Sequence, residues 1–221
     1  MRRLLMLTLL GAATLCNARS ERDADALIAS LAKPAPATVE FTEVRFSKLL
    51  REPLIVSGEL GYSGPNSLDR RVTTPYREHT SIRGESVKVE REGERPRSFA
   101  LKHAPELRGL LTGFSAMLAG DADMLRRAFT VEANGRGDAW ALRLRPKAAQ
   151  APRRLLSIEI IGAGTEPRCF SMRTADAAHS MLLLGAVSRE PLPEWLTEKA
   201  LYKLCGYTFF DVRIHAPETA R

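Results

Sequence analysis

The sequence predicts an α+β fold that consists mainly of antiparallel β-strands, and three observations lead to this prediction. The stretch at 54–62 alternates between apolar residues and polar residues or glycine, as in a strand with one buried face. Several short, evenly spaced segments with one polar side follow it, as in a meander that curls into a barrel. At 105–118 the apolar residues instead recur every three or four positions, which is typical of a helix. We therefore expect one large sheet with a single apolar face.

The strands are predicted from alternation and from β-branched or aromatic content. Pro75 interrupts one candidate and separates it into two strands. In a later, strongly β-forming strand, Leu156, Ile158 and Ile160 are expected to share one face. The predicted strands are 38–47, 54–62, 68–74, 76–82, 86–91, 97–101, 129–133, 140–144, 155–161, 168–173 and 180–184.

The first of these strands changes phase. Val39 and Phe41 alternate on one face, whereas Val44 and Phe46 lie on the other. An extra residue in a strand produces such a change, so we predict a β-bulge near 42–43.

Four helices are predicted, and their ends carry recognisable signals. Pro105 suits the first turn of the long helix, and Gly120 suits its end. Asp121 is a candidate N-cap for the next helix, and Gly206 would stop the last one. The predicted helices are 23–32, 105–118, 121–127 and 194–205.

The helix at 105–118 has two interpretations. Its apolar stripe could pack on the sheet as part of an ordinary core. Alternatively, the same side chains could form a lid over a cavity that binds lipid. The stripe consists of Leu107, Leu110, Leu111, Phe114 and Leu118.

Length and composition indicate one soluble globular domain. The chain has 221 residues, of which 44% are apolar and 27% are charged. Its formal net charge is +7, and 7 − 2 = +5 without Arg2 and Arg3 of the first 18 residues, which would attract an exported protein to anionic membrane surfaces and acidic partners. The basic residues are scattered rather than grouped with aromatic residues, which argues against a nucleic-acid site.

The start of the chain has the pattern of a signal peptide. Two arginines precede an apolar run at 4–15 that is too short to span a bilayer, and small residues suit cleavage after Ala18. We therefore expect 1–18 to be removed and the mature protein to be periplasmic. An uncleaved anchor is one alternative. Lipidation of Cys16 is another, although Leu15 is large for such a site.

Motifs for catalysis or metal binding are weak. The stretch at 113–117 resembles a nucleophile elbow around Ser115, but its last residue is methionine and it lies in a helical pattern. An esterase or acyltransferase that uses Ser115 is therefore only a third hypothesis. The four histidines are far apart and none has ligand spacing with Cys, Asp or Glu, so no metal and no cofactor are predicted.

Two cysteines remain after signal-peptide removal, Cys169 and Cys205. In an oxidising compartment such a pair suggests a disulfide. Two buried free thiols are the alternative, because spacing alone cannot show that the two side chains meet.

The order of the elements is more informative than any single motif. After the signal peptide come an amphipathic helix, a Phe-Thr-Glu strand at 41–43 and a Gly-x-Leu-x-Tyr segment at 58–62 before a Gly-Pro turn. Several hairpins, a proline-led apolar helix and a Leu-x-Leu-x-Pro segment at 142–146 follow. This order resembles the periplasmic outer-membrane lipoprotein carriers, the LolA-like proteins. The resemblance covers about 22–185 and points to a divergent branch often encoded beside lipid and aryl-polyene synthesis enzymes.

The resemblance implies an incomplete, half-open antiparallel barrel covered by short helices. Its apolar cavity would take acyl chains, with no catalysis and no cofactor, which favours the lid interpretation of 105–118. Related carriers have a basic residue directly before a proline that ties the lid shut. Here Gly64 precedes Pro65, so this chain departs from the pattern, and only Arg70 or Arg71 could substitute.

These patterns predict a signal peptide at 1–18, a LolA-like carrier domain at 19–187 and a C-terminal helical extension at 188–221. The predicted function is that of a monomeric periplasmic carrier of lipoprotein acyl chains or other lipid-like cargo toward the outer membrane. Donor and acceptor proteins in the two membranes would be its partners. The alternative is an envelope accessory or scaffold protein for lipid or aryl-polyene pigment synthesis enzymes. The predicted cavity-lining residues are Leu54, Val56, Leu60 and Tyr62 on the sheet, and Leu107, Leu110, Leu111, Phe114 and Leu118 on the helix.

Overall fold

The computed structural model describes residues 23–147 and 155–207, and the predicted signal peptide lies outside the described residues. An antiparallel sheet of eleven strands accounts for most of this part of the chain. The strand order is β6-β5-β4-β3-β2-β1-β11-β10-β9-β8-β7, so each half is a meander and β1 pairs with β11 to join the halves. The strands are β1 (Ala37–Phe46), β2 (Leu54–Gly64), β3 (Ser67–Thr74), β4 (Glu78–Arg83), β5 (Ser86–Arg91), β6 (Arg97–Ala100), β7 (Phe129–Arg136), β8 (Ala139–Pro146), β9 (Leu155–Ala163), β10 (Glu166–Thr174) and β11 (His179–Leu184).

Four α-helices accompany the sheet in the described residues: α1 (Ala24–Ser30), α2 (Pro105–Ala119), α3 (Ala122–Ala128) and α4 (Glu198–Leu204). The helices α2 and α3 connect β6 to β7, which are the two ends of the strand order and do not pair with each other in the described part of the sheet. The sheet is therefore curved and open rather than closed, with α1, α2 and α3 on its concave side. This arrangement confirms the predicted α+β fold with an incomplete barrel.

The sequence signals at the ends of α2 and α3 act as predicted. Pro105 begins α2, and Gly120 ends it in the left-handed conformation with a φ of 64°. The side chain of Asp121 then accepts a hydrogen bond of 2.8 Å from the backbone N–H of Met124, which caps α3.

The convex face of the sheet carries a second apolar cluster, so the expectation of a single apolar face is wrong. Residues 187–207 cross this face, and Leu201 and Tyr202 of α4 pack there against side chains that include Val44 and Ile161. Cys169 of β10 and Cys205 at the end of α4 are joined by a disulfide, with the two Cα atoms 6.0 Å apart.

The second cluster also explains the change of phase in β1, where the predicted bulge is wrong. The pairing of β1 with β2 runs without a shift from Ala37 to Arg45. Phe41 packs in the concave core and Val44 in the convex cluster. The apolar pattern changes phase because the strand is buried on both faces, and the backbone remains regular.

Two smaller predictions are corrected. Leu156 is 55% exposed and Leu155 is buried in its place, because the pairing of β9 with β10 shifts register at this end of the strand. The last helix is shorter than predicted, since Thr197 caps it with a side-chain hydrogen bond of 3.1 Å to the N–H of Ala200. Trp195 consequently precedes α4 and is 78% exposed.

Candidate functional site

The side chains predicted to line a cavity lie between the sheet and α2. The concave face of β2 buries Val56, Leu60 and Tyr62, with Leu54 half-buried at the start of the strand. The apolar stripe of α2 packs against this face and against β9 and β10. On that helix Leu110, Leu111 and Phe114 are buried, whereas Leu107 and Leu118 are half-buried.

A cavity of about 620 Å³, termed the mouth cavity here, opens at one end of the concave face. Its volume falls in the range of about 300 to 1,000 Å³ that is usual for ligand pockets. The rim includes Leu49 and Leu50 of the β1–β2 loop, and Leu49 is 94% exposed. Its apolar wall includes Leu54, Leu107, Leu110, Met172 and Leu182, and its polar lining includes Glu43, Arg45, Arg70 and His179.

A second cavity of about 280 Å³, the inner cavity, lies further along α2. The predicted lining is therefore divided rather than continuous. Val56 packs in the core and lines neither cavity, and Leu111 faces a smaller pocket of about 170 Å³. The inner cavity is lined by Leu60, Tyr62, Phe114 and Leu118 together with Leu31, Leu68 and Met117.

Five charged side chains cross the concave face from β1 to β5, and we refer to them as the floor network: Glu43, Arg45, Arg70, Glu78 and Arg91. Arg45 donates to both carboxylate oxygens of Glu43 at 2.8 Å, and Arg70 Nη2 donates to Glu43 Oε2 at 2.6 Å. Arg91 holds Glu78 through bonds of 2.6 and 3.0 Å. Arg70 Nη1 lies 3.6 Å from Glu78 Oε1, and its guanidinium sits 5.0 Å above the ring of Phe41.

Glu43 remains ionised although its carboxylate is buried. Burial acts to raise the pKa of Glu43. The hydrogen bonds from Arg45 and Arg70 and their two positive charges outweigh this effect and hold the pKa below its usual value. The polar wall of the mouth cavity is therefore charged at neutral pH.

The sequence contains a signal for this network. In β1 the positions of Glu43 and Arg45 continue the alternation of Val39 and Phe41, which places all four on the concave face. In β3, Arg70 lies between two inward-facing apolar residues in the same way. A charge at an inward position of an alternating strand indicates a partnered polar site inside the fold.

Comparison with known protein families shows the family to which this chain belongs. Residues 16–207 match a family that is described as outer membrane lipoprotein carrier protein LolA-like. The chain belongs to this LolA-like family. The match extends past the sequence resemblance at 22–185 and includes α4.

Solved structures similar to this LolA-like chain are distant in sequence. A crystal structure of a LolA superfamily protein from Nitrosomonas europaea is 10% identical with a TM-score of 0.41, covering 76% of this chain and 92% of that one. A putative outer membrane lipoprotein-sorting protein domain from Vibrio parahaemolyticus is 8% identical with a TM-score of 0.39, covering 82% and 97%. No curated protein matches the chain. Within 23–147 and 155–207, no helix has the length and apolar character needed to cross a membrane.

In this LolA-like chain α2 is tied to the sheet at the β2–β3 turn. The buried hydroxyl of Ser115 donates a hydrogen bond of 2.9 Å to the backbone carbonyl of Pro65. Gly64, which stands where the basic residue was expected, has a φ of 143° that favours glycine. Neither Arg70 nor Arg71 takes the place of that basic residue. Arg70 binds Glu43 in the floor network, and Arg71 Nη1 lies 3.8 Å from Glu59 Oε1. Ser115 thus connects helix and turn, which gives it a structural role.

We expect Ser115→Ala to destabilise the protein by about 1 kcal/mol, because one net hydrogen bond is lost. The backbone amide hydrogens of α2 should also exchange with solvent faster than in the parent protein, since α2 would be held less firmly. Urea unfolding and amide hydrogen exchange measure the two effects. Thr112→Ala, which removes another hydroxyl from α2, is the matched control. If Ser115→Ala equals the parent protein in stability and in exchange, the hydrogen bond to Pro65 does not hold α2 in place.

A second polar cluster on the convex face has the residue types of a catalytic triad. Ser171 Oγ lies 2.8 Å from His179 Nε2, and His179 Nδ1 lies 3.0 Å from Glu198 Oε1 but without hydrogen-bond geometry. Ser171 is only 2% exposed, and its hydroxyl also contacts the hydroxyl of Tyr202 at 3.0 Å. Tyr202 in turn donates to Glu159 at 2.9 Å. The cluster is packed beneath α4 and serves to attach that helix to the sheet.

Proposed function

We propose that this protein is a periplasmic carrier that holds the acyl chains of lipoproteins or other lipid-like cargo and transfers them toward the outer membrane. The observation that carries the proposal is the mouth cavity of about 620 Å³, whose apolar wall is shared by the sheet and the amphipathic helix α2. Membership of the LolA-like family supports the same role. A carrier needs no catalytic group, so the proposal includes no enzymatic step.

The compartment and the partners belong to the same proposal. The signal-peptide pattern at 1–18 and the Cys169–Cys205 disulfide both suit an oxidising periplasm. Cargo would be received from an inner-membrane donor and passed to an outer-membrane acceptor, with the carrier acting as a monomer.

The energetics of carriage require a lid that can move. Each buried CH₂ group contributes about 0.8 kcal/mol, so several long acyl chains would hardly leave a rigid pocket. Besides the buried packing of its apolar stripe, α2 is held by polar attachments that such a movement would have to break. These include the Ser115 bond to Pro65, the Lys33 N–H bond of 2.9 Å to the carbonyl of Leu118, and an exposed ion pair between Arg108 and Glu85.

Binding of a neutral acyl probe tests the proposal. A fluorescent fatty-acid methyl ester should bind the purified protein, and native mass spectrometry of periplasmic material should show co-purifying lipid or lipoprotein. Leu107→Trp narrows the mouth cavity beside its apolar wall and should weaken probe binding about ten-fold or more. Leu118→Trp, a half-buried position of the same helix that lines the inner cavity, should change binding by less than about three-fold.

Two outcomes would contradict this proposal. Protein that purifies without lipid and takes up no probe would favour an accessory or scaffold role. Loss of binding in Leu118→Trp but not in Leu107→Trp would move the site to the inner cavity.

A further inference from the structure

We propose that the mouth cavity recognises an anionic head group, a carboxylate or a phosphate, on the acyl amphiphile that it carries, and that Arg45 and Arg70 are its partners. The inference rests on the proposed carrier function and goes further, because it names the chemistry at the polar end of the cargo.

The first argument is the position of the two guanidiniums. Both Arg45 and Arg70 line the mouth cavity, opposite the apolar wall that includes Leu107 and Leu110. An amphiphile with its chain along the apolar wall would therefore place its head group at the two arginines. Arginine also has the planar set of donors that matches carboxylates and phosphates.

The second argument is charge balance. Both guanidiniums bind one carboxylate, that of Glu43. At the wall of the mouth cavity these two arginines therefore face a single carboxylate, a net charge of 2 − 1 = +1. Glu78 does not line the cavity and is held by Arg91, whose Nη1 also lies 3.5 Å from Glu94 Oε1. Arg70 Nη1 lies 3.6 Å from Glu78 Oε1, which is too long for a good hydrogen bond. One anionic group at this wall would complete the balance.

The other ionisable side chains of the cavity do not remove this excess inside it. Asp176 also lines the mouth cavity, but it is exposed on the rim, where solvent screens its charge. Its carboxylate is bound within its own turn by the hydroxyl of Thr174 and the N–H of Ala178, at 2.5 and 3.3 Å. His179 lines the cavity as well, and its ring nitrogens face Ser171 and Glu198 on the convex side.

The third argument is preorganisation. The side chain of Arg70 is only 6% exposed, and the Phe41 ring and the Glu43 carboxylate hold its guanidinium in place. A buried ion pair usually stabilises a fold no better than well-packed apolar residues of similar size. Packing alone therefore does not account for charges along a cavity wall, whereas recognition of an anion does.

Competition against the neutral probe tests the inference with three ligands of equal chain length: a fatty acid, its methyl ester and a lysophosphatidic acid. At least one anionic ligand should bind about ten-fold more tightly than the ester, as expected for charge-assisted hydrogen bonds. The tighter of the two acids identifies the source of the head group. This preference should fall as salt is raised.

Arg45→Gln should abolish the preference, which is read as the ratio of acid to ester affinity measured within the same variant. Arg45 is 41% exposed and Glu43 keeps Arg70 as a partner, so this variant should fold. The matched control is Arg71→Gln, which removes the same charge from a 59% exposed side chain on the opposite face of β3 and should keep the preference.

The outcomes separate this inference from the carrier proposal. If none of the three ligands binds, carriage itself fails. If the ester binds as tightly as both acids, carriage stands and the head-group inference is overturned. The head-group inference is also overturned if the preference for anionic ligands persists in Arg45→Gln, or if it does not change with salt concentration in the unaltered protein. The salt series needs no variant, so it decides the question even if Arg45→Gln does not fold.

Discussion

Replacing Gly58 by alanine is expected to destabilise the protein by about 3 kcal/mol or more, a large part of a typical domain's stability. A Cβ atom at this position would lie 1.8 Å from the carbonyl oxygen of Arg71 and 2.8 Å from its carbonyl carbon. Both atoms belong to the backbone of β3, so no side-chain rotation relieves the clash. The close approach arises where the β2–β3 register shifts, with Ser57 opposite Thr74 but Gly58 opposite Val72. Urea unfolding of the two proteins measures the loss.

Gly61→Ala is the matched control on the same strand. Its added Cβ would meet the nearest atom, Cβ of Asp69, at 3.6 Å, an ordinary contact. We expect a change in the free energy of unfolding within about 0.5 kcal/mol. Similar values for the two variants would contradict the argument. It would mean that the strands adjust at Gly58 at little cost.

The elements that the sequence predicted well are those whose signals are local. Proline at the start, glycine at the end and apolar spacing of three and four defined α2 almost to the residue. The side of β2 that faces inward followed from alternation alone, since Val56, Leu60 and Tyr62 are all buried. Such features depend on a few neighbouring residues and on backbone geometry that any strand or helix shares.

The polar wall of the candidate site was missed because its stability is not local. Pattern reasoning assigns a charged residue to the solvent face, since an unpaired buried charge is costly. Glu43 and Arg70 are tolerated inside because they meet across the sheet, although they lie 27 positions apart in the chain. The sequence of either strand alone does not indicate that Glu43 pairs with Arg70. The residues were visible, but their partnership required the strand order.

The convex cluster was missed for a related reason. The phase change in β1 was a true signal, but a bulge and a second buried face produce the same pattern. Only the position of residues 187–207 separates the two, and that position is fixed by distant contacts such as the Cys169–Cys205 disulfide. The apolar stripe of α2 is divided between two cavities, and this division depends on packing that the spacing of apolar residues cannot predict.

Loss of that disulfide should have the second large effect on stability. The half-cystines are 36 positions apart, and a cross-link that closes a loop of this length contributes about 3 to 4 kcal/mol in the chain-entropy model. The double variant Cys169→Ala/Cys205→Ala should unfold at correspondingly lower urea concentration. Because the cross-link attaches α4 to β10, limited proteolysis of the variant should first cut within 187–200.

Packing and cross-linking can be distinguished by a second variant. Leu201→Ala keeps the disulfide but removes a fully buried side chain from the convex cluster, which should cost about 2 to 4 kcal/mol. If the cross-link itself holds α4 to β10, α4 in this variant should remain attached and resist proteolysis despite lower global stability. If the double cysteine variant instead matches the parent protein within about 1 kcal/mol, the convex cluster alone holds the segment. Acyl-probe binding should persist in both variants, because the mouth cavity lies on the concave face and its lining includes neither cysteine nor Leu201.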